Sequence, residues 1–148
     1  MAFRATNVIP QIAYQQVRAT ARNVKVNSDA FVSQMAASGA NYTFLRDVYI
    51  FLKNADTQFA TLSAVPGIAE YAQQQEDDPT YNVGAEFTAM RNTIAAVLSW
   101  MNSNVPTSVT AVAPTAWVQD GPLIATAFTA QQTAPLRTLL QAVSASIV

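Results

Sequence analysis

Neither cysteine nor histidine occurs in this sequence. The first absence excludes disulfides, thiolate metal sites and thiol catalysis. The second removes the side chain whose ordinary pKa best suits acid–base work near neutrality, and with it the commonest metal ligand. Glycine is scarce as well: with 4 in the whole chain, neither G-x-G-x-x-G nor G-x-x-x-x-G-K-[ST] can be drawn, so no phosphate-cradling loop is present. Charge is the third shortage. Only 11% of residues are charged, against roughly a quarter in an ordinary soluble domain, while 51% are hydrophobic. Solubility then rests on Thr, Ser, Gln and Asn, and weak repulsion between copies suits a protein whose faces end up against other subunits.

The few charges are unevenly placed. Residues 1–53 carry six basic side chains (Arg4, Arg18, Arg22, Lys25, Arg46, Lys53) and two acidic ones, a balance of +4. Residues 54–148 carry two basic and seven acidic, a balance of −5, and every charge between Lys53 and Arg91 is negative. Two readings stay open. Opposite ends of neighbouring protomers meet head to tail, or the fold brings the two sets together inside one chain.

At 148 residues the chain has the size of a single domain. No internal repeat or low-complexity linker divides it. The pattern predicts a mainly α fold: a bundle of four to five helices over about residues 10–103, an extended arm and β-hairpin over 105–128, and a terminal amphipathic helix over 130–147. The first helix is expected over 10–25, with Pro10 in its tolerant first turn and a weak stripe of Ile12, Gln16 and Ala19. A short helix follows, capped by Ser28 or Asp29, closed by Gly39 and buried along Phe31, Val32 and Met35. The third, over 41–64, repeats Leu45, Val48, Tyr49, Leu52, Phe59 and Leu62 at helical spacing, with Ile50 and Phe51 as a second apolar edge. Val65-Pro66-Gly67 ends it.

A fourth, short helix over 68–75 dissolves into the polar run 73–79. Asn82 caps the fifth, whose stripe is Phe87, Met90, Ile94, Val97, Leu98 and Met101. The third and fifth are the natural antiparallel pair at the centre of the fold. Pro106 and Pro114 bracket an extended stretch, and residues 117–124 read as a hairpin turning at Asp120-Gly121, although Pro122 cannot donate to a ladder. For the last helix, Thr129 and Gln132 match a capping box, while a start at Thr133 puts Pro135 in the first turn. Leu136, Leu139, Leu140, Val143 and Ile147 then form a stripe that closes the core or docks into a neighbouring subunit.

The remaining chemistry is thin. Glu76-Asp77-Asp78 lacks the alternating ligands of a calcium loop and reads as a solvated turn. Asp56, Glu70 and Glu86 read as helix-surface acids rather than an acid–base pair. No catalytic residue, metal site or cofactor is expected, and the chain is read as non-enzymatic. Candidate partner contacts are Arg18, Arg22 and Lys25, which share one helical face, together with Trp100 and Trp117, a residue type enriched at interfaces. Three cations are too few to argue strongly for nucleic acid. No apolar run has the length of a signal peptide or a membrane span, which predicts a chain made and kept in a cytoplasm.

Residues 62–75 (LSAVPGIAEYAQQQ), continuing through Asp78-Pro79 to 85–90 (AEFTAM), and residues 128–137 (FTAQQTAPLR) resemble a group of small virion proteins of tailed bacteriophages and prophages. The likeness covers residues 62–137 and carries no functional residues over. It implies a virion component assembled in the bacterial cytoplasm. The preferred place is a head–tail connector (adaptor or neck) subunit forming a ring on the portal, with itself, portal and tail components as partners and DNA only as cargo passing through. The alternatives are a capsid decoration or cement protein and, from another class, a small nucleic-acid-binding helical protein using Arg18, Arg22 and Lys25.

Overall fold

The computed structural model describes residues 5–105, 110 and 127–147. Among these, five helices pack as a bundle: α1 (Ala5–Ser38), α2 (Tyr42–Ser63), α3 (Ile68–Glu76), α4 (Val83–Asn104) and α5 (Ala134–Ala145). Two short strands, β1 (Ala40–Asn41) and β2 (Ala127–Phe128), pair antiparallel, Ala40 opposite Phe128 and Asn41 opposite Ala127. No hairpin occurs among the described residues, and the one expected at 117–124 lies outside them, as does most of the expected arm.

α1 corrects the expectation most. The two helices foreseen over 10–25 and 28–39 are one unbroken helix of 34 residues. No glycine or proline separates them, and the buried stripe simply continues, through Tyr14, Val17, Ala21, Val24, Ser28 and Met35. Ser28 is therefore no cap. It sits mid-helix, fully buried, with its Oγ unpartnered among the described residues. Tertiary burial of the stripe overrides the local capping preference of Ser and Asp. Pro10 also lies inside the helix rather than in its first turn. Its ring is buried at the turn between α2 and α3, where its Cγ lies 3.6 Å from the position a Cβ on Gly67 would take. Packing there offsets the hydrogen bond the proline cannot donate. The stripe of Ile12, Gln16 and Ala19 faces outward, opposite the core.

The other helices lie where their patterns put them. Asn41 caps α2 by accepting from the Phe44 N–H at 2.8 Å, and Asn82 caps α4 by accepting from Ala85 N–H at 3.1 Å. Each expected stripe residue of α2 and α4 is buried. Phe31 of α1 makes edge-on contacts with Phe44 and Phe51 of α2, centroids 5.7 and 5.8 Å away, so Phe51, one of the two residues of the second apolar edge, is spent on α1. α4 lies against α2, α3 and α5; α1 lies against α2, α3 and α5. Both start signals of α5 operate at once. Thr129 and Gln132 exchange the two capping-box bonds, at 2.8 and 3.1 Å, and Pro135 falls in the first turn of the helix that follows. α5 closes the core within its own chain: Leu136, Leu140 and Val143 are fully buried between α1 and α4.

Gly39 ends α1 at φ +69°, and β2 crosses directly over it, so an added Cβ would come within 2.1 Å of the Phe128 carbonyl oxygen. Conformation and space both demand glycine here. Gly39→Ala is expected to cost about 3 kcal/mol in urea or thermal unfolding, from a strained left-handed residue plus displacement of β2. Ser28→Ala should move the other way, raising stability by about 1 kcal/mol, because it removes a buried hydroxyl without a partner and improves helix propensity. A loss of stability in Ser28→Ala would show that the hydroxyl is satisfied.

Candidate functional site

The three cations expected to form a free basic face do not do so. Arg18 is drawn into a cluster at the end of α3 and the start of α4. Its Nη2 donates to Glu76 Oε2 at 2.8 Å, to Tyr14 Oη at 2.8 Å and to Tyr81 Oη at 3.2 Å, and its Nε donates to Tyr14 Oη at 3.1 Å. Glu86 lies 3.8 Å from Nη1. Tyr14 donates to Glu76 at 2.6 Å, and Tyr81 donates to Glu86. Burial works against the Arg18 charge, but the hydrogen bonds to Tyr14 and Glu76 more than offset it, so its pKa rises. Lys25 donates to the Ser144 carbonyl at 2.8 Å and its Oγ at 3.2 Å, placing a cation on the last turn of α5, where the helix dipole favours one. Arg22 alone of the three stays exposed, with no side-chain partner among the described residues.

The two unequal halves of the charge distribution therefore meet inside the chain through Arg18, which joins Glu76 and Glu86. Arg91 joins Asp56 at 2.8 Å across α4 and α2, a pair within the acidic half. The acidic run is similarly occupied: Asp78 accepts from the Thr80 N–H and Oγ at 2.9 and 2.6 Å, and Asp77 closes α3 in a left-handed conformation. Among the described residues no group of three or more acids is placed to hold a metal ion. No helix there is long and apolar enough to cross a membrane. Trp100 is half-buried and packed against the core, and Trp117 lies outside the described residues.

What remains open is the outer face of α1. Ile9, Gln16, Asn23, Ala30 and Ala37 recur every seven residues and are exposed. Ile12, Ala19, Val26 and Ser33 recur on the same spacing three residues further on, also exposed. These are the a and d positions of a heptad, and not one is charged. They include the exposed large hydrophobic residues Ile9, Ile12 and Val26, which are 62%, 51% and 60% accessible. Beside them runs a shallow groove against α2. One part, of about 400 Å³, is lined by Gln16, Ala19, Thr20, Thr57, Gln58, Thr61 and Leu62. A second, of about 230 Å³, adds Asn23, Asn54 and Phe51 and shares Thr20 and Gln58 with the first. Thr20 Oγ1 reaches Gln58 Oε1 across it at 3.2 Å. The lining offers hydroxyls, amides and methyl groups, which suit contact rather than proton transfer. The seven-residue spacing is visible in the sequence, but the weak stripe of Ile12, Gln16 and Ala19 points to it without Ile9 and Val26.

Compared with protein-family models, with curated proteins and with solved structures, the chain has no match.

The Arg18 cluster gives the fold a definite pH profile. Hydrogen bonds from Tyr14 and Arg18 hold Glu76 below its ordinary 4.5, so its contribution is present above that value and is lost as pH falls through the lower folded pKa. Tyr14 and Tyr81 are pushed above 10.0, by burial first and then by the hydrogen bonds to Glu76 and Glu86. Their contribution is complete below 10.0 and is lost as pH rises past it toward the higher folded values. The urea midpoint should therefore fall at both ends of a pH series, and Tyr81→Phe should flatten the alkaline fall. An alkaline fall that Tyr81→Phe leaves unchanged would place its cause elsewhere.

Proposed function

We propose that this chain is a non-enzymatic structural subunit that works by assembling with copies of itself and with other proteins, as a virion component of a tailed bacteriophage. Its preferred place is the head–tail connector, in contact with portal or tail components. The observation that carries the assembly reading is the outer face of α1: exposed from Ile9 to Ala37, free of charge, and repeating every seven residues. A monomer has no use for three large apolar side chains turned to water along one helical line, whereas an interface does. The virion placement leans on the resemblance of residues 62–137 to small virion proteins.

Arg18 already pairs with Glu76 and Glu86 inside the chain, so ring closure leans less on opposite charges at the two ends and more on uncharged surfaces. The nucleic-acid reading loses two of its three residues, because Arg18 and Lys25 are engaged internally. Decoration of the capsid uses the same kind of face and stays as the alternative.

The test is to mix the purified chain with purified portal and, separately, with expanded empty heads, and to examine both by native mass spectrometry and negative stain. The connector reading expects ring-shaped complexes on portal and little binding to heads. High-copy binding to heads would move the protein to the capsid surface. A chain that binds neither and is missing from purified particles contradicts the virion role.

A further inference from the structure

We propose that the partner covering the outer face of α1 is a second copy of this chain, with the two α1 helices antiparallel about a two-fold axis level with Val24 and Lys25. The inference deepens the proposed function and rests on its reading of this face as an interface, but not on the virion placement.

Charge selects both the direction and the register. Arg22 and Asp29 lie one heptad apart on the same edge of the exposed face, at g positions, and each is exposed without a side-chain partner among the described residues. The opposite edge, at e positions, carries Thr20, Asn27 and Gln34 and no charge. In a parallel pair, the g edge of one helix meets the e edge of the other, so both ions would face neutral residues. In an antiparallel pair like edges meet, and Arg22 can face Asp29 of the second copy, twice over by symmetry. Moving the axis half a heptad either way puts Arg22 against its own copy, or Asp29 against its own copy, and like charges repel. One register avoids both.

That register also packs. It sets Asn23 opposite Val26 of the second copy, Ala19 opposite Ala30, and Ile12 opposite Ala37. Apart from the central Asn23–Val26 layers, a small residue sits on at least one side of each layer, allowing close approach. The 29 positions from 9 to 37 span about 42 Å, and the part of α2 that lines the groove, from Phe51 to Leu62, spans about 18 Å; at about 10 Å of width each, the footprint is roughly 600 Å² per copy. Standard stable interfaces begin at about 600 Å² per partner.

The test is sedimentation of the full chain over a concentration series, with circular dichroism to show that each variant is folded. Wild type should show a monomer–dimer equilibrium. Arg22→Asp should weaken it about 30-fold, by turning two attractive pairs into repulsive ones. The double variant Arg22→Asp/Asp29→Arg should restore the affinity to within about 3-fold, since each pair is reversed intact. Val26→Glu should leave a folded monomer. A monomer at every concentration overturns the pairing, as does a dimer indifferent to Arg22→Asp or one the double variant fails to restore. If that monomer still binds portal or heads, and Val26→Glu abolishes the binding, the pairing fails and the proposed function stands. A charge-dependent dimer that ignores portal and heads supports the pairing and counts against the virion role.

Discussion

Burial of one stripe along α1 is the interaction on which the rest of this molecule depends. Tyr14, Val17, Ala21, Val24 and Met35 face inward on that stripe, and α2, α3 and α5 all pack against this helix. A helix of 34 residues is about 51 Å long, whereas α5, with 12 residues, covers about 18 Å of it and α3, with 9, about 14 Å. The described helices line one side of α1 and leave its other side open. An outer face remains, and its composition decides what it can be.

That composition is the other half of the account. A soluble helix ordinarily turns charges to water. Here two of the four on α1 are drawn sideways instead: Arg18 toward Glu76 and the two tyrosines, Lys25 toward the end of α5. Each contact ties α1 to another element, so these two charges serve as internal fasteners. The outer a and d positions are left with amides, small residues and three large aliphatic side chains. A surface of this kind dissolves well enough as a monomer and loses little on being covered, since its a and d positions hold no ion that has to shed its water.

Much of the fold was legible in the sequence, for identifiable reasons. α2, α4 and α5 announce themselves through strong apolar stripes, and α4 and α5 also through side-chain caps that the structure uses, at Asn82 and the Thr129–Gln132 box; the cap at Asn41 was not foreseen. α1 was harder because its signals conflict. Ser28 and Asp29 look like a helix start, Pro10 looks like another, and the most apolar periodic residues, Ile12 and Val26, belong to the exposed side. The buried side interleaves Val17, Val24 and Met35 with alanines, a serine and a tyrosine, which blurs its hydropathy pattern. The basic face failed for a different reason: three cations on one helix edge say nothing about the acids that tertiary packing sets beside them. The expected hairpin and Trp117 lie outside the described residues.

On the proposed reading, the outer face of α1 is covered in the working state. Hydroxyl-radical footprinting reads this directly, through oxidation of Ile9, Ile12 and Val26 in the dilute chain and in the assembled form, with exposed side chains on α3 and α4 as internal references. The account predicts that these three become protected together on assembly while the references stay reactive. Oxidation equal in both states, with protection appearing on another face, would contradict it.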